Sequence, residues 1–152
     1  MSVSTNQESL TLRARSVVEE FSKEIDWQAR YQKLIQWGQS LKPLDPAEKT
    51  EEALVKACQS KVWLHVQLDS EGRMQLRGDS ESVLVKGLVA VILRIYSGSK
   101  PVEILQFRPD FLEQMGFREN LSPSRANGVL GMIRQIHLFA HVFSQMGSGS
   151  KG

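Results

Sequence analysis

The chain has 152 residues, a formal net charge of +2 and one cysteine. A lone cysteine excludes an internal disulfide framework, and it excludes zinc or iron–sulfur sites built from several cysteines of this chain. Hydrophobic residues at 41% and scattered, nearly balanced charges indicate one soluble globular domain, and they predict no nucleic-acid footprint. Lys86, Gly87 and Arg94 interrupt the longest apolar stretch, so no membrane span is predicted.

The first third of the chain predicts two amphipathic helices. Apolar residues recur at helical spacing from Leu10 to Ile25. Asp26 can cap the second helix, whose apolar stripe runs from Trp27 to Ile35 and which ends near Gly38. The proline-punctuated loop that follows can open a short helical turn at Asp45-Pro46.

In the middle of the chain the apolar period changes to two, which predicts an antiparallel hairpin. Val62–Leu68 alternates as a strand, Asp69–Gly72 is a turn, and Arg73–Arg77 is the returning strand. Asp79 and Ser80 come next, and either side chain can cap the apolar segment that follows.

The second half predicts helices only. Val83–Tyr96 is apolar on most sides and is expected to be the central buried helix. Pro101 and Pro109 open two shorter helices, and Ser122-Pro123 opens a final one with an apolar stripe from Leu130 to Phe143. The order of helices, hairpin and helices predicts an α+β fold with a small antiparallel sheet packed against helices. The predicted domain covers 9–146, with a disordered N-terminus (1–8) and a flexible tail (147–152).

Cys58 is the first candidate for chemistry. It lies at the junction between a charged stretch and the first strand, a place where functional residues concentrate. Lys56 and Lys61 flank it and favour the reactive thiolate. The alternative is an inert packed cysteine, since this residue type is often buried.

Other polar residues give weaker signals. His137 and His141 lie one helical turn apart but lack the glutamate of a zinc-protease motif, so no metal site is predicted. His65 is the only nearby candidate base for Cys58. Arg125 lies in the first turn of a helix, where positive charge is unfavourable, so it either serves a function or pairs with a loop carboxylate.

Four segments in order carry a resemblance to a known family. They are Trp27-x-x-Arg30-Tyr31-x-x-Leu34-Ile35-x-Trp37-Gly38, Cys58-Gln59-Ser60-x-Val62-Trp63, Gly78-Asp79-Ser80-Glu81 with Val85-Lys86-Gly87-Leu88, and Leu121-Ser122-Pro123-Ser124-Arg125-Ala126-Asn127-Gly128. Together they resemble SufE and CsdE, the sulfur acceptors of cysteine desulfurases, and they look closer to cyanobacterial and plastid members.

The resemblance implies a SufE/IscU-like fold and a set of roles. Cys58 would accept sulfur as a persulfide within a motif shared with Gln59 and Ser60. Asp79 would help to hold the cysteine loop, and Arg125 would lie near that loop and contact the desulfurase. The family usually has glycine where this chain has Ala57, which makes positive φ costlier there.

The implied partners are a SufS- or CsdA-type cysteine desulfurase and a downstream iron–sulfur scaffold. The chain itself would bind no cofactor, because pyridoxal phosphate belongs to the desulfurase. Plastid stroma or bacterial cytoplasm is the implied location, and the chain could be a piece of a longer protein. Two other functions stay open, namely an independent cysteine enzyme that uses His65 and a regulatory module without sulfur transfer.

Overall fold

Seven α-helices and a two-stranded sheet form the part of the chain that the computed structural model describes, residues 9–55 and 60–151, with side chains to residue 146. The elements are α1 (Leu10–Ser22), α2 (Trp27–Gln39), a 3-10 helix (Pro46–Glu48), β1 (Val62–Leu68), β2 (Met74–Ser80), α3 (Val83–Tyr96), α4 (Pro101–Gln106), α5 (Phe111–Gln114), α6 (Phe117–Asn120) and α7 (Pro123–Lys151). The predicted α+β class with a small antiparallel sheet is confirmed.

The hairpin is longer than the alternation predicts. β1 and β2 pair antiparallel from Val62 opposite Ser80 to Leu68 opposite Met74. The prediction that Asp79 or Ser80 caps α3 is therefore wrong, because both residues belong to β2. Ser82 is the cap, and its side chain accepts a hydrogen bond from the backbone N–H of Val85 at 3.3 Å.

The two faces of the sheet have different neighbours. Val62 and Leu64 face the main core, which is built around the buried helix α3. Trp63 points to the other face and joins a small cluster with Leu44 and Ala53. We call the segment 41–55 the strap, because it crosses this second face before the chain reaches Cys58.

Helices α2 and α3 cross at glycines. A Cβ atom on Gly87 would lie only 2.2 Å from the carbonyl oxygen of Leu34, and one on Gly38 would lie 2.7 Å from the Gly87 nitrogen. The absence of both side chains lets the two backbones touch. The Gly38 that the sequence places near the end of α2 is therefore a packing residue.

Local signals located several boundaries correctly. Asp26 caps α2 by accepting a hydrogen bond from the Ala29 N–H at 2.9 Å. Asp45 and Glu48 form a capping box around the 3-10 helix. Ile25, predicted on the apolar face of α1, lies beyond that helix and is 94% exposed.

Both ends of the chain were predicted to be unstructured. Residues 1–8 lie outside the described residues. Helix α7 extends to Lys151, past the start of the predicted tail, and the flexibility of 147–152 stays a prediction.

Candidate functional site

The segment that carries Cys58 is anchored at both of its ends. Cys58 and Gln59 lie outside the described residues, but the flanks are described. The Val55 N–H donates to the Val62 carbonyl at 2.9 Å, and both side chains are buried. The residue before this segment is thus hydrogen-bonded to the residue after it. Residues 56–61 connect these two positions at the end of the sheet.

The exit side of this segment has a second attachment. The Lys61 carbonyl accepts hydrogen bonds from the Ser80 hydroxyl at 2.8 Å and from the Glu81 N–H at 3.3 Å. Ser80 is the last residue of β2 and is 9% exposed. The backbone at Lys61, three residues after Cys58, is therefore held by the end of the sheet.

A small cavity of about 20 Å³ adjoins Ser60. Two helices supply its other walls: Val85 and Leu88 from α3, and Ser124, Arg125, Gly128, Val129 and Met132 from α7. A space of this size holds roughly one water molecule. Ser60 follows Cys58 by two residues in the sequence, and two residues of extended chain span at most about 7 Å.

Arg125 lies at the cavity wall and is otherwise exposed. Its backbone N–H donates to the Ser122 hydroxyl at 3.3 Å, which confirms the predicted start of α7. No carboxylate of the described residues lies within 4.0 Å of the Arg125 guanidinium, so the predicted alternative of a loop salt bridge is not found. Among the described residues, the guanidinium therefore has no ionic partner.

Asp79 is 3% exposed and shares the strap face of the sheet with Trp63. Its carboxylate accepts from the Leu44 N–H at 3.2 Å and from the Ser80 N–H at 2.8 Å. The Lys86 and Lys49 ammonium groups lie 3.4 and 3.7 Å from its oxygens. Asp79 thus fixes the strap to the sheet and to α3, and its effect on the cysteine segment stays a prediction.

The pKa of Asp79 reflects opposing causes. Burial raises the pKa, whereas the hydrogen bonds from Leu44 and Ser80 and the charge of Lys86 lower it, and the net pKa lies below the usual value. The carboxylate is therefore the stable form in the folded protein. A charged, fully partnered carboxylate at this position suits anchoring better than proton transfer.

Glu48 makes the second link between strap and sheet. Arg77 donates to both of its carboxylate oxygens, and the ring Nε2 of His65 lies 2.7 Å from its backbone oxygen. The Arg77 hydrogen bonds, followed by the Asp45 N–H, lower the pKa of Glu48 from 4.5 to about 2.

This depressed pKa predicts an acid-sensitive strap. The Glu48 contribution is complete above about pH 4.5, the unfolded value, and it disappears as pH falls toward about 2. We expect the free energy of unfolding of wild type to fall more steeply than that of E48Q across this range, measured by urea denaturation at each pH. Parallel profiles of the two proteins would show that the Glu48–Arg77 pair adds nothing to stability.

The three histidines lie apart from any metal-binding group in the part of the chain that the structure describes. Within the described residues no group of three or more histidine, cysteine or acidic side chains is arranged to hold a metal ion. His65 lies on the strap face of β1 with its Nε2 beside the Glu48 carbonyl. Burial lowers the pKa of His137, and its Nε2 has no hydrogen-bond partner among the described residues.

Three partners in this region were missed from the sequence. Ser80 holds the Lys61 carbonyl, while Lys49 and Lys86 flank Asp79. The available signals were the positions of Ser80 and Lys86 in one of the segments that carry the family resemblance. Strand pairing opposite Val62, which brings Ser80 to the cysteine segment, becomes visible only in the fold.

The comparisons with known proteins agree with this architecture. The family model "SufE: Fe-S metabolism associated domain" matches residues 15–140, so the chain belongs to the SufE family, which is associated with iron–sulfur metabolism. The predicted resemblance to this family is confirmed.

Two relatives show where in the family the chain falls. It is 39% identical over 127 residues to "SufE-like protein 1, chloroplastic/mitochondrial" of Arabidopsis thaliana, covering 84% of this chain and 34% of the relative. It is 36% identical over 127 residues to an uncharacterized SufE-like protein of Synechocystis sp., covering 84% of this chain and 79% of the relative. The predicted likeness to cyanobacterial and plastid members is confirmed, although the chain spans only about a third of the Arabidopsis protein.

The fold also matches a solved structure. The solution structure of a hypothetical protein from Thermus thermophilus superposes with a TM-score of 0.72, covering 88% of this chain and 96% of that one at 19% identity. At this identity the match shows the fold alone. Among the described residues no helix has the length and apolar character needed to span a membrane.

Proposed function

We propose that this SufE-family chain carries sulfur as a persulfide on Cys58, received from a pyridoxal-phosphate-dependent cysteine desulfurase for iron–sulfur cluster assembly. The observation that supports the proposal is the attachment of the described residues on either side of Cys58. Both flanks are tied to the sheet, and Ser60 borders a small cavity with Arg125 at its wall. Gln59 is part of the same motif, and its contribution belongs to the proposal.

The transfer is a sulfur displacement. The Cys58 thiolate attacks the outer sulfur of the desulfurase persulfide, and an S–S bond forms as the bond to the donor cysteine breaks. The electron pair leaves on the donor thiolate, and the transferred sulfur keeps its proton. No net oxidant is needed, and the pyridoxal phosphate stays on the partner, so this chain needs no cofactor of its own.

The cavity beside Ser60 suits the product of this step. A persulfide open to solvent is attacked by small thiols, so a carrier benefits from an enclosed place for the outer sulfur. Val85, Leu88, Val129 and Met132 make most of the cavity wall apolar. This apolar wall supports a sheltered persulfide in the free protein. The likeness to chloroplast and cyanobacterial relatives supports plastid stroma or bacterial cytoplasm as its location.

An independent cysteine enzyme is less well supported. Its general base would have to be His65. That ring projects from the strap face of β1, and its Nε2 is 2.7 Å from the Glu48 carbonyl. The ring nitrogen is therefore already engaged by the strap, which does not favour a role as the base for Cys58. A regulatory module without sulfur transfer remains the rival, and the mass measurement described next separates it from the carrier.

The direct test combines the protein with a SufS-type desulfurase and L-cysteine. We expect an intact-mass gain of one sulfur atom, mapped to Cys58 by peptide analysis without reductant. Sulfur added elsewhere, or no sulfur with an active desulfurase that the chain still stimulates, would replace the carrier with a regulatory module.

Arg125 gives a separate prediction about partner binding. Because this exposed guanidinium has no ion pair among the described residues, we expect R125A to raise the concentration for half-maximal desulfurase stimulation about tenfold, the effect of losing one interaction of about 1.4 kcal/mol. The control is R134A, which removes another exposed arginine of α7. Equal effects of the two variants would point to general charge and against a specific Arg125 contact.

A further inference from the structure

The Ser80 hydroxyl makes hydrogen bonds in two directions. It donates to the Lys61 carbonyl at 2.8 Å and accepts from the Ser82 N–H at 3.2 Å. It therefore joins the exit of the cysteine segment to the residue that caps α3. A hydroxyl has one proton to donate, and here it is used on a backbone group just three residues after Cys58.

These two bonds also connect two of the chain segments that line the cavity. Ser60, next to Lys61, borders the cavity on one side, while Val85 and Leu88 of α3 border it on another. Ser82 holds the first turn of α3 by accepting from the Val85 N–H. Ser80 thus links the chain at Ser60-Lys61 to the helix that lines the same space.

We propose that Ser80 is a positioning residue for the persulfide on Cys58. Its hydroxyl holds the Lys61 backbone against the start of α3, and so it keeps the cysteine segment in register with the cavity beside Ser60. This inference rests on the proposed sulfur-carrier function. In this proposal the effect of Ser80 passes through Lys61, whose carbonyl oxygen its hydroxyl holds.

Removal of the hydroxyl leaves the Lys61 carbonyl, among the described residues, with the longer hydrogen bond from Glu81 alone. We therefore expect S80A to shorten the lifetime of the Cys58 persulfide toward a fixed concentration of dithiothreitol by about fivefold, as the loss of one hydrogen bond allows. S80T retains the hydroxyl and is expected to keep the wild-type lifetime. The persulfide is formed with inorganic polysulfide, so that no desulfurase takes part, and its decay is followed by intact mass.

Ser97 provides a matched control at the other end of the sheet. Its hydroxyl accepts from the Leu76 N–H at 2.9 Å and links the end of α3 to β2. S97A removes a comparable link far along the chain from Cys58, so it is expected to lower stability without changing persulfide lifetime. If S80A does not fold, S80V and S80T form a pair that differs only in the hydroxyl.

The outcomes separate the two proposals. A wild-type protein that gains sulfur on Cys58 neither from polysulfide nor from the desulfurase would overturn the carrier function itself. A stable wild-type persulfide whose lifetime is shortened equally by S80A and S97A, or equally retained in S80V and S80T, would overturn the role of Ser80 alone.

Discussion

Replacement of Cys58 by serine is expected to reduce sulfur acceptance to background. A serine hydroxyl is not ionised at neutral pH and does not attack a persulfide sulfur, whereas a thiolate does. The chain has no other cysteine to take over the reaction. Intact mass after incubation with desulfurase and L-cysteine measures the loss, and desulfurase turnover measures the loss of stimulation.

Thermal unfolding provides the control for C58S. The replacement is nearly isosteric, so a melting temperature close to wild type would assign the loss to chemistry. A variant that is folded and still stimulates the desulfurase fully would refute sulfur transfer as the means of stimulation. The surface around residue 58 would then act by docking to the desulfurase and not by accepting sulfur.

The variant G87A is expected to cause the largest loss of stability. Its added methyl would lie 2.2 Å from the Leu34 carbonyl oxygen, and a helix backbone has no rotamer by which to move away. Helices α2 and α3 must therefore separate, at a cost of about 3 kcal/mol in the free energy of unfolding, the upper part of the range for overpacked cores. Urea denaturation followed by circular dichroism measures the change.

The control for G87A is Q36A, an exposed replacement on α2. It should change stability by no more than about 0.5 kcal/mol. If G87A is as stable as Q36A, the helices can separate at little cost, and the close glycine contact is not a stability determinant.

Much of the fold could be predicted because its signals are local. Asp26 caps α2 through its own side chain, and Asp45 with Glu48 frames the 3-10 helix. Val83–Tyr96 is so uniformly apolar that only a buried central helix suits it. The prediction for Ile25 was wrong because this residue continues the helical period after the helix has ended. The period alone does not locate a helix terminus.

The extension of β2 through Asp79 and Ser80 could not be predicted by the same means. Both residues are typical helix caps, and local propensity favours that interpretation. What places them in a strand is pairing with Trp63 and Val62, many residues earlier in the chain. The candidate site likewise depends on contacts between residues that are distant in the sequence. The motif around Cys58 could be identified from sequence, whereas the attachments of its flanks depend on tertiary contacts.

The strap has a consequence for how the molecule opens. Leu44 and Ala53 of the strap pack with Trp63 in a separate small cluster, and only its two ends, Leu41 and Val55, pack against the much larger main core. Segments with few buried apolar contacts open at a lower free energy than the global transition. Amide hydrogen exchange in 41–55 should therefore report a sub-global unit that opens while α3 stays protected. The strap ends at residue 55, three residues before Cys58, so the chain approaches the cysteine from the less stable part of the domain.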